Sequence, residues 1–163
     1  MIKLEIRNLF FSYEHKWNLE NIHFSVDAGE FIGLIGPNGS GKSTLIRVID
    51  GILKPQKGEV ILDGVNVTRF SRPQIARRIG VVPQNGSTQF AFSAFEVVMM
   101  GRNPFIGNRL FERKEDLRIV EEAMKETDCW QFVHQPLNQL SGGEKSLTAL
   151  AILQGLILVT IVG

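Results

Sequence analysis

The first thirty residues alternate between apolar and polar positions. Ile2–Ile6 and Ile22–Val26 both repeat with a period of two, and a polar stretch, Glu14–Asn18, separates them. A period of two places successive side chains on opposite faces of a strand. The pattern therefore predicts two half-buried antiparallel strands joined by a polar turn.

Further strands are indicated by short apolar runs. Phe31–Ile35 and Ile79–Pro83 are continuous runs, which are typical of strands buried on both faces of a parallel sheet. Glu59–Leu62 ends at Asp63–Gly64, a dipeptide that favours a tight hairpin reversal. The middle of the chain is thus expected to contribute two core strands and one hairpin.

Helices are predicted where apolar residues recur every three to four positions. In Lys114–Thr127 this period places Leu117, Val120, Ala123 and Met124 on one face, with charged residues opposite. We interpret the apolar run Leu147–Gly163 as a buried helix followed by a buried strand, because polar residues interrupt it. The other predicted helices are one from Ser43 to near Gly51, Gln74–Arg78, Ala94–Met100, and a last helix that starts at Gly142 with Ser141 as its cap.

Composition narrows the class of protein. The chain has 163 residues, of which 44% are hydrophobic and 21% charged, as in ordinary globular domains. Eighteen basic residues face seventeen acidic ones, so the net charge is only +1. A field this weak gives no reason to expect nucleic acid as a partner. Any recognition of phosphate must therefore be local.

A phosphate-binding motif lies between a predicted buried strand and a predicted helix. The residues from Gly36 to Ser43 read GPNGSGKS and match G-x-x-x-x-G-K-[ST] throughout. Glycines in this loop let successive N–H groups point at a polyphosphate, and the following helix adds its positive end. Lys42 is expected to reach the outer phosphates, and the Ser43 hydroxyl to bind Mg²⁺. The motif alone fits kinases, GTPases and ATPases alike.

Two further features accompany this loop. Tyr13 lies at the end of the first predicted strand, where its ring could stack on a nucleotide base. LSGGE at Leu140–Glu144 is a second glycine-containing helix start, which predicts another cluster of N–H donors with a helix dipole behind it. One nucleotide needs only one such cluster of N–H donors, so the second cluster requires a separate functional explanation.

The order of these motifs resembles that of the ATP-binding subunits of ABC transporters. Tyr13, the loop Gly36–Thr44, Gln84 in VVPQN and the LSGGE segment correspond to the adenine-stacking aromatic, the Walker A loop, the glutamine loop and the signature. Phe92–Phe105 is similar to the segment found in importers of ferric siderophores, haem and cobalamin. The resemblance implies an ATPase subunit that couples ATP binding and hydrolysis to import.

The resemblance also implies partners and roles. Two subunits would meet head to tail, with the signature residues Ser141, Gly142 and Gly143 closing on the ATP of the other subunit. Gln84 would contact Mg²⁺ and the attacking water, and would act in catalysis together with Lys42. Membrane-embedded permease subunits would hold the protein at the cytoplasmic face of the cell membrane. ATP and Mg²⁺ are the implied ligands, and the residues expected to surround the nucleotide's phosphates are Gly36, Pro37, Asn38, Gly39, Ser40, Gly41, Lys42, Ser43 and Thr44.

The implied fold is the α/β P-loop NTPase fold, with a mixed or parallel core sheet, an N-terminal antiparallel portion and a helical lobe. We predict one domain over residues 1–163, divided into a nucleotide-binding core, 1–85, a helical subdomain, 86–139, and a signature helix with a last strand, 140–163. The family's Walker B carboxylates and switch histidine have no match here. We therefore expect the C-terminal part of the sheet to be missing and hydrolysis by this chain to be poor.

Two alternatives remain open from the sequence. The chain could be a nucleotide-binding module without catalysis, in which ATP orders the fold. It could also be a soluble repair-type ABC ATPase, since LSGGEKSLTALAIL is similar to that branch. That branch carries a long coiled coil before its signature, whereas the segment between Gln84 and Leu140 shows no sustained heptads.

Overall fold

The computed structural model describes residues 3–30, 32–82, 92–107, 112–154 and 159–162. These residues divide into two compact units, one within Met1–Ile75 and the other within Ala76–Val162. The strands are β1 (Lys3–Phe11), β2 (Leu19–Asp27), β3 (Lys57–Leu62), β4 (Val65–Asn66), β5 (Ile79–Val82) and β6 (Val159–Val162). The α-helices are α1 (Lys42–Ile49), α2 (Arg72–Ala76), α3 (Ala94–Met100), α4 (Asn103–Ile106), α5 (Lys114–Glu126) and α6 (Gly142–Gln154).

The first unit is built on an antiparallel sheet with the strand order β2-β1-β3-β4. Leu4 and Ile6 of β1 are buried and lie opposite Val26 and Phe24 of β2, which confirms the predicted antiparallel pair. The hairpin between β3 and β4 is also confirmed. Its two turn residues have positive φ angles of 52° at Asp63 and 78° at Gly64, the conformation that a two-residue hairpin turn requires.

The helix α1 confirms the period found after the glycine loop. Leu45, Val48 and Ile49 are buried, as one face of an amphipathic helix should be. The helix ends at Ile49, and Gly51 follows with a φ of 70°. This left-handed residue lies where the sequence predicts the helix to close.

In the second unit, α3, α5 and α6 pack around a shared core. The strands β5 and β6 form a parallel pair in which Ile79 lies opposite Val159. This pair confirms the predicted strand before Gln84 and a strand within the C-terminal apolar run. No helix among the described residues is long and apolar enough to cross a membrane. The buried core residues are Ala94, Val98, Met99, Val120, Ala123, Met124, Cys129, Leu137, Leu140 and Ala151.

One strand prediction is wrong over the residues that the structure describes. Residues 32–37 have no regular secondary structure, although Phe31–Ile35 was expected to be a buried strand. The exposed fraction is 50% for Ile32, 46% for Leu34 and 96% for Ile35. A strand is buried only when neighbouring strands pair with it, and none of the described strands pairs with this segment.

The predicted apolar face of α5 is only partly correct. Val120, Ala123 and Met124 are buried, but Leu117 is 43% exposed. Asp116 occupies the buried face instead, where its Oδ1 accepts a hydrogen bond from Arg102 Nη2 at 3.1 Å. A hydrophobic pattern cannot reveal this position, because the burial of a charged residue depends on a partner elsewhere in the chain.

Candidate nucleotide-binding site

The loop before α1, residues 36–41, has the backbone geometry of a phosphate-binding loop, and it forms the phosphate cradle of this chain. Gly39 and Gly41 adopt positive φ angles of 81° and 90°, which side-chain-bearing residues rarely adopt. A Cβ atom on Gly41 would lie 2.7 Å from the carbonyl oxygen of Asn18. The amide of Ser40 donates to the carbonyl of Pro37 at 3.2 Å and closes a tight turn. Both glycines are therefore needed for conformation, and Gly41 is also needed for space.

The start of α1 is suited to an anion. The N-cap residue, Gly41, provides no side-chain hydrogen bond, and the first turn of the helix contains no acidic residue. The first backbone N–H groups of a helix lack partners within the helix, and the helix dipole places partial positive charge there. A phosphate group can satisfy both the donors and the charge.

Lys42 lies at the first position of α1 and turns back over the loop. Its Nζ donates to the carbonyl oxygens of Gly36 at 2.6 Å and Pro37 at 2.9 Å. The ammonium group is thus held above the same turn whose amides form the cradle. Its charge adds to the dipole of α1 at one end of the helix.

Tyr13 lies in the loop between β1 and β2 and presents an accessible ring. The side chain is 55% exposed. Its ring meets that of Phe11 edge-on, with centroids 5.0 Å apart and an interplanar angle of 87°. Edge-on packing leaves a ring face free for a second aromatic group. The predicted role of Tyr13 in stacking on a base agrees with this exposure but is not tested by it.

Two amide side chains that the sequence analysis did not single out hold this loop. Asn18 Oδ1 accepts from the amide of Tyr13 at 3.0 Å. Gln56 Oε1 accepts from the amide of Ser12 at 3.0 Å, and its Nε2 donates to the carbonyl of Ser12 at 2.7 Å. An asparagine inside a polar loop is a weak local signal for the first contact. No local signal exists for the second, since the two residues are 44 positions apart.

The signature segment begins α6, in the second unit. Ser141 caps the helix as predicted, because its Oγ accepts from the amide of Glu144 at 3.4 Å. Glu144 Oε2 accepts in return from the amide of Ser141 at 2.6 Å, which completes a capping box. The hydrogen bond from the Ser141 amide, helped by the Ser141 hydroxyl, lowers the pKa of the Glu144 carboxyl below its ordinary value. A Cβ atom on Gly142 or Gly143 would meet nothing within 4 Å, so both glycines are open to an approaching group.

The remaining predicted site residues differ in how far the structure describes them. Ser43 is exposed at the second position of α1, and Thr44 follows it. Gln84 lies outside the described residues. The cradle's open amides, the ammonium of Lys42 and the exposed hydroxyl of Ser43 fit a magnesium-bound triphosphate, since such a metal takes few protein ligands and shares phosphate oxygens. Groups of three or more His, Cys, Asp or Glu side chains suited to a metal ion are absent from the described parts of the chain.

Comparison with known families agrees with this geometry. The family model described as ABC transporter matches residues 19–155, which include the whole glycine loop and the signature. The chain belongs to the ABC transporter family. The P-loop fold and the resemblance drawn from the motifs are thereby confirmed.

Several curated relatives of this ABC transporter chain are import proteins. It is 39% identical over 133 residues to the cobalamin import ATP-binding protein BtuD of Halobacterium salinarum, which covers 82% of this chain and 33% of that protein. It is 32% identical over 149 residues to the petrobactin import ATP-binding protein FpuC of Bacillus anthracis, with 91% and 55% covered. The hemin import ATP-binding protein HmuV of Pseudomonas putida is 38% identical over 149 residues, with 91% and 56% covered.

A solved structure supports the same fold. CbiO1 from Clostridium perfringens, described as part of the ABC transporter complex CbiONQ, superposes with a TM-score of 0.83 at 29% identity. The match covers 98% of this chain and 64% of that one. The chain thus spans between a third and just over half of the curated relatives named above.

Proposed function

We propose that the chain binds ATP with Mg²⁺ as part of the ATP-binding subunit of an ABC importer. The observation that carries the proposal is the start of α1, where open glycine amides, an uncapped helix end and the Lys42 ammonium come together. Each of these features favours negative charge. Family membership supports the choice of ATP among nucleotides.

Different residues of the site would bind different parts of the nucleotide. Backbone amides of the loop would bind the phosphates, and Lys42 would compensate the charge of the outer ones. Ser43 and Gln84 would bind Mg²⁺ together with phosphate oxygens. Tyr13 would stack on the adenine. The bound metal would supply charge neutralisation at the phosphates, which is a large part of catalysis in this reaction class.

The signature supports a further part of the proposal, a head-to-tail dimer. Ser141, Gly142 and Gly143 would close on the nucleotide held by a second subunit. The openness of both glycines supports such an approach, because no neighbouring atom would have to move. The subunit would dock on permease partners and stay at the cytoplasmic face of the membrane, where it would couple ATP binding and hydrolysis to import.

The named relatives suggest the class of cargo. BtuD, FpuC and HmuV are named for import of cobalamin, petrobactin and hemin. We propose that the importer takes a cargo of one of these kinds: an iron siderophore, haem or cobalamin.

Nucleotide binding is tested by calorimetric titration with ATP in the presence of Mg²⁺. We expect saturable binding by the wild-type chain and a loss of about a hundredfold in Lys42→Ala, since hydrogen bonds to charged groups contribute about 1.5–3 kcal/mol each. Lys54→Ala removes an exposed lysine from the same unit and should leave the affinity unchanged. Equal affinity for ATP in Lys42→Ala and the wild type would contradict the proposed site.

Cargo class is tested in the source organism by deleting the gene and measuring uptake. Labelled cobalamin, a ferric siderophore and haem are offered separately to the deletion strain and to a strain that carries Lys42→Ala at the chromosomal locus. We expect uptake of one of the three to fall in both strains. Normal uptake of all three would rule out the proposed cargo class while leaving nucleotide binding to be judged by the titration.

A further inference from the structure

We propose that Asn18 and Gln56 are positioning residues. They fix the position of the Tyr13 ring, which would stack on the base, relative to the phosphate loop. The inference rests on the proposed binding of ATP. It concerns affinity for the base alone, because neither amide side chain belongs to the phosphate-binding motif.

The loop that carries Tyr13 depends on side chains for its shape. Residues 12–18 form no regular secondary structure between β1 and β2. A backbone hydrogen bond closes the loop's base, from the amide of Asn18 to the carbonyl of Phe11 at 2.8 Å. A loop of this length without further ties would populate several conformations, and binding would then have to order it.

Gln56 ties one side of the loop to a distant part of the unit. Its side chain both donates to and accepts from the backbone of Ser12, as a neighbouring strand would. The backbone amide of Gln56 also donates to the carbonyl of Phe10 at 3.1 Å. These three hydrogen bonds extend the pairing of β1 with β3 by two residues and bring it to the residue before Tyr13.

Asn18 holds the other side of the loop and lies beside the phosphate cradle. Its Oδ1 accepts from the Tyr13 amide at 3.0 Å, so it fixes the backbone from which the ring projects. Its carbonyl oxygen lies where a Cβ atom on Gly41 would approach to 2.7 Å. Leu19, the next residue, is buried, and its Cδ2 would lie 3.0 Å from the same Cβ atom. One residue therefore contacts both the stacking loop and the glycine before Lys42.

This arrangement has a consequence for ligands. A nucleotide whose phosphates sit in the cradle places its base at a distance set by the ligand's own length. Stacking on Tyr13 is strongest when its ring is held at that distance from the cradle before the ligand binds, because ordering the loop during binding would reduce the affinity. Asn18 and Gln56 supply this preorganisation, and inorganic tripolyphosphate, which has no base, should not benefit from it.

The test compares ATP with tripolyphosphate on the full chain, both with Mg²⁺. We expect Asn18→Ala and Gln56→Ala each to weaken ATP binding about five- to tenfold while tripolyphosphate affinity stays within about twofold of the wild type. Asn18→Asp keeps an acceptor for the Tyr13 amide and should restore most of the ATP affinity. Asn66→Ala is the matched control, since Asn66 Oδ1 accepts the Thr68 amide at 3.0 Å outside the site.

A double variant separates positioning from general destabilisation. Tyr13→Ala removes the stacking ring. In that background, adding Asn18→Ala should weaken ATP binding by less than about twofold, because Asn18 no longer has a ring to position. An equal loss of tripolyphosphate affinity, or full additivity in the double variant, would overturn the inference. Failure of the folded wild type to bind either ligand would overturn the proposed function itself, and the inference with it.

Discussion

Two glycine-containing segments lead into helices in this chain, and they differ in how the helix start is satisfied. The start of α1 has no side-chain cap and no acidic residue in its first turn. The start of α6 has a capping box, in which the Glu144 carboxylate accepts from the Ser141 amide at 2.6 Å. A helix end that already holds a carboxylate has less to gain from a phosphate.

The two segments also differ in the structural role of their glycines. Gly41 has a φ of 90° and lies against the backbone of Asn18. Gly142 has open space where a Cβ atom would be. The α1 loop is thus shaped by the chain itself, whereas the α6 segment leaves its glycines open for a group that comes from outside. This difference agrees with a phosphate cradle in α1 and an approach surface in α6.

Replacing Gly41 with alanine should have the largest effect. The left-handed conformation costs an L-residue about 1–2 kcal/mol, and the contact with the Asn18 carbonyl adds strain, so we expect a loss of about 3 kcal/mol in the free energy of unfolding. Urea unfolding measures it. Gly142→Ala is the matched variant and should change the stability by less than about 1 kcal/mol. Similar losses in the two variants would remove the contrast between the segments.

Placing a carboxylate in the first turn of α1 should reduce nucleotide binding. Thr44→Glu gives α1 an acid at the position that Glu144 has in α6, three residues after the N-cap. We expect about tenfold weaker binding of ATP, because the new charge repels the phosphates and competes for the helix amides. Thr44→Gln, which adds the same bulk without charge, is the control. Calorimetric titration of both variants decides the point, and equal affinities would count against the electrostatic account.

Removing the cap of α6 should affect stability but not nucleotide binding. Ser141→Ala deletes the acceptor for the Glu144 amide, and a lost cap costs about 1 kcal/mol. We expect a small fall in the midpoint of thermal unfolding and an unchanged affinity for ATP in the isolated chain. A marked loss of ATP affinity in this variant would mean that the signature takes part in binding within one chain.

The charge of Glu144 should give the smallest effect, a pH dependence. Hydrogen bonds from Ser141 lower the pKa of this carboxyl in the folded chain, so its contribution to stability is complete above the ordinary pKa of a glutamate. The contribution is lost as the pH falls through the lowered pKa. The difference in thermal unfolding between wild type and Glu144→Gln should therefore be largest at pH 7 and should shrink as the pH falls below the ordinary pKa of a glutamate. A difference that grows toward acid pH would contradict this sign.

Local patterns predicted much of the fold correctly. The alternation of β1 and β2, the Asp63–Gly64 turn and the span of α3 all follow from neighbouring residues alone. α3 also begins with a capping box between Ser93 and Glu96, which stabilises the start that the pattern indicates. Short-range signals were sufficient wherever the partners of an element lie close in sequence.

Predictions failed where distant residues decide the outcome. The apolar run Phe31–Ile35 carries a strand pattern, yet none of the described strands pairs with its described residues, 32–35. Asp116 is buried because Arg102 lies beside it, and Gln56 holds Ser12 from 44 residues away. The phosphate motif could be found because its chemistry is contiguous, whereas the residues that hold Tyr13 could not, because tertiary contacts place them there.

The central claim is that the amides between residues 36 and 44 bind the phosphates of ATP. An amide-resolved nuclear magnetic resonance titration of the isotope-labelled chain with ATP and Mg²⁺ tests it most directly. The account predicts that the largest shifts occur at the amides of Gly39 to Thr44, with smaller shifts at the amides of Gly142 and Gly143, which would meet ATP only through a second subunit. Unchanged amides in the glycine loop, or the largest shifts at the start of α6, would contradict it.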